Sequence, residues 1–206
     1  MDIYFFFKGL LIGFSIAAPV GPIGVLCIRR TLTNGRMSGL VSGLGAATAD
    51  GFYGAFAAFG LKLISDVLVG QQLLFRIIGG SFLLYLGIRT FLSKPSEKSA
   101  SDKKSNLFGD YISTFILTIM NPLTILSFAA VFAGLGLGNS NGNYISALLM
   151  VLGVISGSIG WWLILSTGVS LFREKFNPTS LKIVNWVSGI IMVVFAVIAF
   201  VSIVRI

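Results

Sequence analysis

The sequence predicts an all-α membrane protein with six transmembrane helices, arranged as two inverted three-helix repeats. Three observations support this prediction: the composition, the placement of the charges, and a similarity between the two halves. The 206 residues are 55% hydrophobic and 11% charged, with a mean hydropathy of +0.94. About 25% of the residues of a soluble domain are charged, and a chain this short has too little interior to bury so much apolar surface.

Charged residues mark the ends of the apolar runs. The chain is uncharged between Lys8 and Arg29, over 111–172 and over 183–204, and a membrane span needs about 20 residues. The Gly/Asn-rich run 138–143 is a turn signal that divides the longest of these stretches. Unbroken runs of this length favour helices over barrel strands, which have about ten residues of alternating polarity. The predicted helices are 4–28, 38–61, 69–92, 109–137, 144–172 and 182–204.

Lysine and arginine residues predict the orientation, because they concentrate in cytoplasmic loops. They cluster in the odd-numbered loops, 29–37, 93–108 and 173–181. These loops are therefore predicted to be cytoplasmic, with both termini outside. Topology alone accounts for the net charge of +8, so nucleic acid is not an expected partner.

The hydrophilic segment 93–108 is predicted to be a cytoplasmic linker between two repeats, 1–92 and 109–206. Similar motifs recur after 103, 108 and 109 residues, from Pro19 to Pro122, from Gly45 to Gly153 and from Phe75 to Val184. Since each half has three helices, the halves must have opposite orientations in the membrane. Inverted repeats are typical of secondary transporters, which bind substrate near the bilayer midplane. The alternative is chance similarity between glycine-rich apolar helices.

Two prolines interrupt the first predicted helix. Pro19 and Pro22, with Gly21 between them, leave the carbonyls of Ser15 and Ala18 without their helical donors. Such carbonyls cannot face lipid and must meet protein, water or a ligand. The structural alternative is an ordinary proline kink.

The fourth helix carries a matching interruption. Pro122 is predicted to free the carbonyl of Thr118, and Asn121 and Thr124 place polar side chains beside it. Paired interruptions favour two discontinuous helices that cross near the membrane centre. The helix N-terminus that follows each interruption would then point its N–H groups at an anionic group of a ligand.

Asp50 is the one acidic residue in the middle of a predicted span. A charged group at that depth costs about 2.5–3.5 kcal/mol on insertion scales, so we expect it to face a polar cavity. There it would bind a cationic group or carry a proton. The alternative is a structural pair with Arg76, which we expect instead to extend towards the outer surface.

The residues present exclude several other classes of protein. The absence of histidine removes the usual zinc ligands and catalytic bases, and one cysteine allows no intrachain disulfide. There is no phosphate-binding Gly-x-x-x-x-Gly-Lys-Ser/Thr motif. We therefore expect neither an enzyme nor a cofactor or metal site.

Several motifs together resemble the LysE-type translocator family, which includes the RhtB-type amino-acid exporters. These motifs are Pro19-Val-Gly-Pro22-Ile-Gly24, the run from Gly43 to Asp50, the Gly79–Gly87 pattern of the third helix, and Asn121-Pro122. The chain departs from the family at Leu123, where Asn-Pro is often followed by lysine.

The resemblance implies export of amino acids or related small solutes, driven by an ion gradient across the cytoplasmic membrane of a prokaryote. A zwitterion would find an anionic partner in Asp50 and an electropositive partner in the interrupted helices. The candidate substrate-binding and coupling residues are Asp50, Pro19, Gly21, Pro22, Asn121, Pro122 and Thr124. The expected partners are a small solute and the lipid bilayer, and homo-oligomerisation is left open. The alternative function is an inorganic cation transporter or channel.

Overall fold

The computed structural model describes residues 3–19, 21–58, 71–93, 106–121, 124–128, 144–175 and 177–204, and every regular element in them is helical. The predicted all-α class is therefore confirmed. The helices are α1 (Ile3–Ala17), α2 (Pro22–Asn34), α3 (Arg36–Ala58), α4 (Gln72–Phe91), α5 (Leu107–Ile119), α6 (Tyr144–Leu171) and α7 (Pro178–Val204). Residues 124–128 are also helical, and a 3₁₀ turn covers Arg173–Lys175.

Within the described residues, three helices are long and apolar enough to cross a bilayer, over Leu73–Phe91, Tyr144–Leu171 and Thr179–Val201. Taken together, α1 and α2 form a fourth candidate span, which is bent by 80°. Large apolar side chains such as Ile164 and Ile198 are more than half exposed, which suits a helix surrounded by lipid. α3 is long enough to span, but it carries Asp50 and many small residues in place of large apolar ones. These features fit a membrane protein.

The structure agrees with the predicted interruption of the first span and corrects the loop after it. α1 ends at Ala17 and α2 begins at Pro22, but most of the predicted loop 29–37 is helical. α2 continues to Asn34, and Gly35 alone separates it from α3. Pro22 suits the start of α2 because the first residue of a helix needs no N–H partner. Gly35 permits the reversal because its φ of 102° lies in the left-handed region.

The fourth predicted span also divides. α5 ends at Ile119, well before the predicted end at 137, and helix resumes over 124–128. Its start is fixed by Asn106, whose side chain accepts a hydrogen bond from the Gly109 N–H at 2.9 Å. The rest of this span, the turn at 138–143, the linker residues 94–105 and Pro122 lie outside the described residues. The remaining helices agree with the predicted spans to within four residues wherever their ends are described.

Small residues allow the helices to pack closely. The most extensive contacts are those of α1 with α6, α3 with α5, α3 with α6, and α4 with α7. A Cβ atom on Gly153 or Gly157 of α6 would collide with the backbone of α1, and one on Gly45 of α3 would collide with α5. Such backbone contact is the usual role of small residues between membrane helices.

Asp50 lies where two apolar clusters meet on α3. One cluster includes Ala46 and Ala47 and joins α2, α4 and α7, and the other includes Tyr53 and is centred on α6. Residues three or four apart are neighbours on a helix surface. The carboxylate is therefore surrounded by packed side chains and is only 3% exposed.

Candidate functional site

A cavity of about 200 Å³ separates α3 from the two helix interruptions. It brings together six of the seven predicted site residues: Pro19, Gly21, Pro22, Asp50, Asn121 and Thr124. The seventh, Pro122, lies outside the described residues. Thr118, Ser127 and Trp162 also line the cavity and add polar groups to its wall. The cavity is thus the point where the chemistry predicted from the sequence converges.

The first interruption leaves a helix start at the cavity. The Gly21 N–H donates to the Pro19 carbonyl at 2.9 Å, and α2 then begins at Pro22 without a side-chain cap. Ile23 and Gly24, in the first turn of α2, belong to the cavity wall. The N–H groups of a first turn have no partner within the helix and carry the positive end of its dipole. This side of the cavity is therefore electropositive.

The second interruption is closed differently from the prediction. The Thr118 carbonyl, which Pro122 was expected to leave without a donor, accepts from the Asn121 N–H at 3.2 Å in a tightened turn. The neighbouring Ile119 carbonyl accepts from the Tyr53 hydroxyl of α3. The prediction of a free Thr118 carbonyl was wrong because the chain turns at Met120 before it reaches the proline.

Asp50 is held by a side chain from the other half of the chain. Its Oδ2 accepts a hydrogen bond from the Ser158 Oγ at 2.7 Å, and the Ser158 Oγ accepts from the Trp162 Nε1 at 3.2 Å. All three side chains are buried. The sequence patterns did not identify Ser158 as a partner of Asp50. The predicted repeat offered a signal, because Asp50 and Ser158 are 108 residues apart, the same offset as Gly45 and Gly153.

Arg76, the alternative partner considered for Asp50, lies in the wall of a second cavity of about 270 Å³. Pro22, Ile23 and Asn121 border both cavities. The two chambers are therefore neighbours on either side of the helix interruptions.

A buried ion pair fixes the end of α2 that lies away from Pro22. The Arg30 Nε is 3.2 Å from the Asp110 Oδ1, and both side chains are largely buried. The guanidinium also donates to Ser42 of α3 and to Ser113 and Thr114 of α5, at 2.7–2.9 Å. Arg30 therefore joins α2, α3 and α5 through a well-satisfied polar cluster.

Arg29 makes a second set of contacts from the same turn of α2. Its Nε donates to the Asn185 Oδ1 of α7 at 2.8 Å, and its Nη2 donates to the Ser93 Oγ after α4 at 3.0 Å. The sequence assigned both arginines to a loop and to topology alone. Their partners are distant in sequence, so no local pattern could have identified these contacts.

Apolar helices, two helix interruptions and a buried carboxylate beside a cavity are features expected of the class of membrane transport proteins. The chain belongs to the LysE type translocator family, whose sequence pattern matches residues 14–202. The family consists of transporters rather than enzymes, in agreement with the predicted resemblance.

Three relatives match most of the chain. A Bacillus subtilis protein named "Putative amino acid efflux protein YcgF" is 28% identical over 193 residues, which is 92% of each chain. The uncharacterized membrane protein YrhP of B. subtilis is 23% identical and covers 84% of this chain and 87% of its own. The uncharacterized membrane protein YahN of Escherichia coli is 27% identical, covering 82% and 77%. No solved structure matches significantly.

Proposed function

We propose that this protein is a secondary transporter that exports amino acids or related small solutes across the cytoplasmic membrane, coupled to protons. The observation that carries the proposal is that Asp50 and both helix interruptions border one cavity. The name of YcgF, which refers to amino acid efflux, supports the substrate class.

The cavity offers opposite partners to a zwitterion. The Asp50 carboxylate would bind the ammonium group, and the uncapped first turn of α2 presents N–H donors to an anionic group. Asn121 and Thr124 supply neutral polar groups between these two sides. A small amino acid is therefore the solute that the cavity suits best.

Proton coupling requires a group that exchanges a proton for substrate, and Asp50 is suited to that role. A buried carboxylate either binds a cationic group or takes up a proton, since an isolated charge is costly inside the membrane. In the proposed cycle Asp50 holds a proton and the substrate ammonium group alternately. The two halves of the chain rock around this fixed site.

The inverted repeat is part of the proposal, and the helix packing supports it. In the proposed repeat α1 corresponds to α5, α3 to α6 and α4 to α7. Exchanging corresponding helices turns the α1–α6 contact into the α5–α3 contact, and both are extensive. The α3–α6 and α4–α7 contacts each join two corresponding helices, as a two-fold relation predicts. Gly153 packs on the backbone of Phe6 and Leu10, and its counterpart Gly45 packs on that of Tyr111 and Phe115. We propose six spans in repeats 1–92 and 109–206, joined by the linker 93–108.

We keep the membrane orientation that the lysine and arginine residues predict, although residues 29–34 belong to α2 and not to a loop. Arg29, Arg30 and Arg36 surround the reversal at Gly35, so that end of the bundle is placed in the cytoplasm with 93–108 and 173–181. Both termini are then outside.

Flux measurements on the full-length protein in proteoliposomes test the proposal. We expect counterflow of at least one labelled amino acid by the wild type, and its loss in Asp50→Asn, which keeps the size of the side chain but removes the charge. Ser166→Ala is the matched control, because Ser166 is buried in α6 but does not line the cavity. Transport of Mn²⁺ without any amino acid would contradict the proposal and favour the cation alternative. Unchanged amino-acid flux in Asp50→Asn would remove Asp50 from the site.

A further inference from the structure

Among the described residues that line the second cavity, one is charged and most are apolar. Arg76 lines it together with apolar residues of α4, α5 and α7, among them Leu83, Leu117 and Phe195. Arg76 is the fourth residue of the apolar span Leu73–Phe91. An arginine near the end of a span commonly extends to the membrane surface, so the packing of its helix face decides its direction.

The register of α4 directs Arg76 towards the protein. Arg76, Gly79, Gly80 and Leu83 are spaced i, i+3, i+4 and i+7, which places them on one face of the helix, and all four line the cavity. Gly79, Gly80 and Leu83 are buried, and a Cβ on Gly79 would be 2.7 Å from the Met120 carbonyl oxygen. This face therefore packs against α7, through Gly80 on Phe200, and against the end of α5 rather than against lipid.

The repeat gives an independent indication of the same direction. The offset of 109 residues that relates the third helices pairs Arg76 with Asn185. Asn185 is 1% exposed, and it accepts a hydrogen bond from Arg29 of α2. Asn185 thus faces α2, the helix that follows the first interruption. Arg76 lines a cavity together with Leu126, which belongs to the helical segment 124–128 after the second interruption.

We propose that Arg76, together with the first turn of α2, binds the carboxylate of an amino acid whose ammonium group is at Asp50, with an apolar side chain of the substrate against the walls of the second cavity. The two charged side chains line adjoining chambers that share Pro22, Ile23 and Asn121. A guanidinium pairs with a carboxylate through two parallel hydrogen bonds, which gives both orientation and strength. This inference rests on the proposed function, names zwitterionic apolar amino acids as its substrates, and replaces the expected outward extension of Arg76.

Binding of leucine and leucinamide to the purified full-length protein tests the assignment, because the amide retains the ammonium group but lacks the carboxylate. Isothermal titration gives the ratio of the two dissociation constants. We expect leucinamide to bind the wild type about tenfold or more weakly than leucine, as suits loss of a charge-assisted hydrogen bond. In Arg76→Gln we expect the ratio of the leucinamide and leucine dissociation constants to fall towards one, because leucine binds more weakly while leucinamide binding changes little. Arg89→Gln, which changes an exposed arginine at the other end of α4, keeps the wild-type ratio.

Three results would overturn the assignment: a wild-type ratio in Arg76→Gln, equal binding of both ligands by the wild type, or no leucine binding by the wild type. Loss of leucinamide binding together with leucine binding in Arg76→Gln would also overturn it, since that result indicates a structural role. Arg76→Lys keeps the charge without the two-point geometry, and we expect an intermediate ratio. If Asp50→Asn abolishes leucine flux but Arg76→Gln keeps the wild-type ratio of the two dissociation constants, this inference is refuted and the proposed function is not. A wild type that moves no amino acid refutes the proposed function as well.

Discussion

At the scale of single residues, Asp50 is unusual because its partner comes from the other half of the chain. The Ser158 hydroxyl donates to the carboxylate at 2.7 Å and is itself held by the Trp162 indole. A hydrogen bond to a charged group contributes about 1.5–3 kcal/mol. In the proposed repeat α3 and α6 belong to different halves, so this bond would link the state of the carboxylate to the relative position of the halves.

Ser158→Ala tests that link. We expect at least about a tenfold loss of amino-acid affinity, because the carboxylate loses the donor that orients it. The change is measured as a rise in KM for counterflow, and the pH profile of transport is expected to move with it. Ser166→Ala is the control and should transport like the wild type. Equal behaviour of the two variants would mean that Ser158 only packs.

Sequence reasoning at this scale identified the residues whose local chemistry is unusual, namely a carboxylate and prolines inside apolar helices. It missed Ser158, since a serine in a membrane helix is an ordinary packing residue. The hydrogen bond depends on the crossing of α3 and α6, which is set by packing across 108 residues of chain.

At the scale of helices, α2 is the element whose position decides the shape of the site. Its first turn lines the cavity, and its last turns are fixed by Arg30 on one side and Arg29 on the other. The prolines predicted that the first span is interrupted, because their effect on the backbone is local. The continuation of α2 through both arginines could not be predicted, because it depends on Asp110 and Asn185.

Replacing one member of the buried ion pair should be strongly destabilising. Arg30→Met leaves Asp110 without its cation, and breaking such a pair typically costs about 3–5 kcal/mol. We expect a clear fall in the thermal unfolding temperature of the purified protein. The double variant Arg30→Met with Asp110→Leu should recover part of the loss, since no lone charge remains buried. A single variant as stable as the wild type would contradict the importance of this contact.

Glycines at the helix contacts give a second test at this scale. Gly153→Ala places a Cβ against the Phe6 carbonyl of α1, so the two helices must separate and the unfolding temperature should fall. Gly168→Ala on the same helix meets nothing within 4 Å and should leave that temperature unchanged or raise it, because alanine favours a helix by about 1 kcal/mol. Equal effects of the two substitutions would show that the close approach of α1 and α6 does not matter.

At the scale of the whole molecule, the proposed two-fold relation connects the site with the transport cycle. The largest helix contacts pair as the proposed inverted repeat predicts, and Asp50 and Ser158 meet where α3 and α6 pack. Composition and charge were sufficient to predict an all-helical membrane protein, and the motifs around Pro19, Asp50 and Asn121 indicated its family. They could not predict that two cavities flank the interruptions, because cavity shape depends on how the helices pack.

Topology can be tested with cysteine labelling in a Cys27→Ser background. Ile3→Cys should react with a membrane-impermeant thiol reagent in right-side-out vesicles, because the N-terminus is proposed to be outside. Ser99→Cys, in the linker, should react only after the vesicles are opened. The reverse pattern would invert the orientation, and accessibility of both positions from one side would exclude an odd number of spans in the first repeat.

The central claim is that Asp50 is the coupling group of an amino-acid exporter. The most direct measurement is uptake of a labelled amino acid into proteoliposomes under an imposed pH gradient, with the wild type and Asp50→Asn compared at equal protein density. The wild type is predicted to accumulate the amino acid only while the gradient lasts, and Asp50→Asn to show no gradient-driven accumulation. Accumulation by Asp50→Asn equal to that of the wild type would contradict the claim.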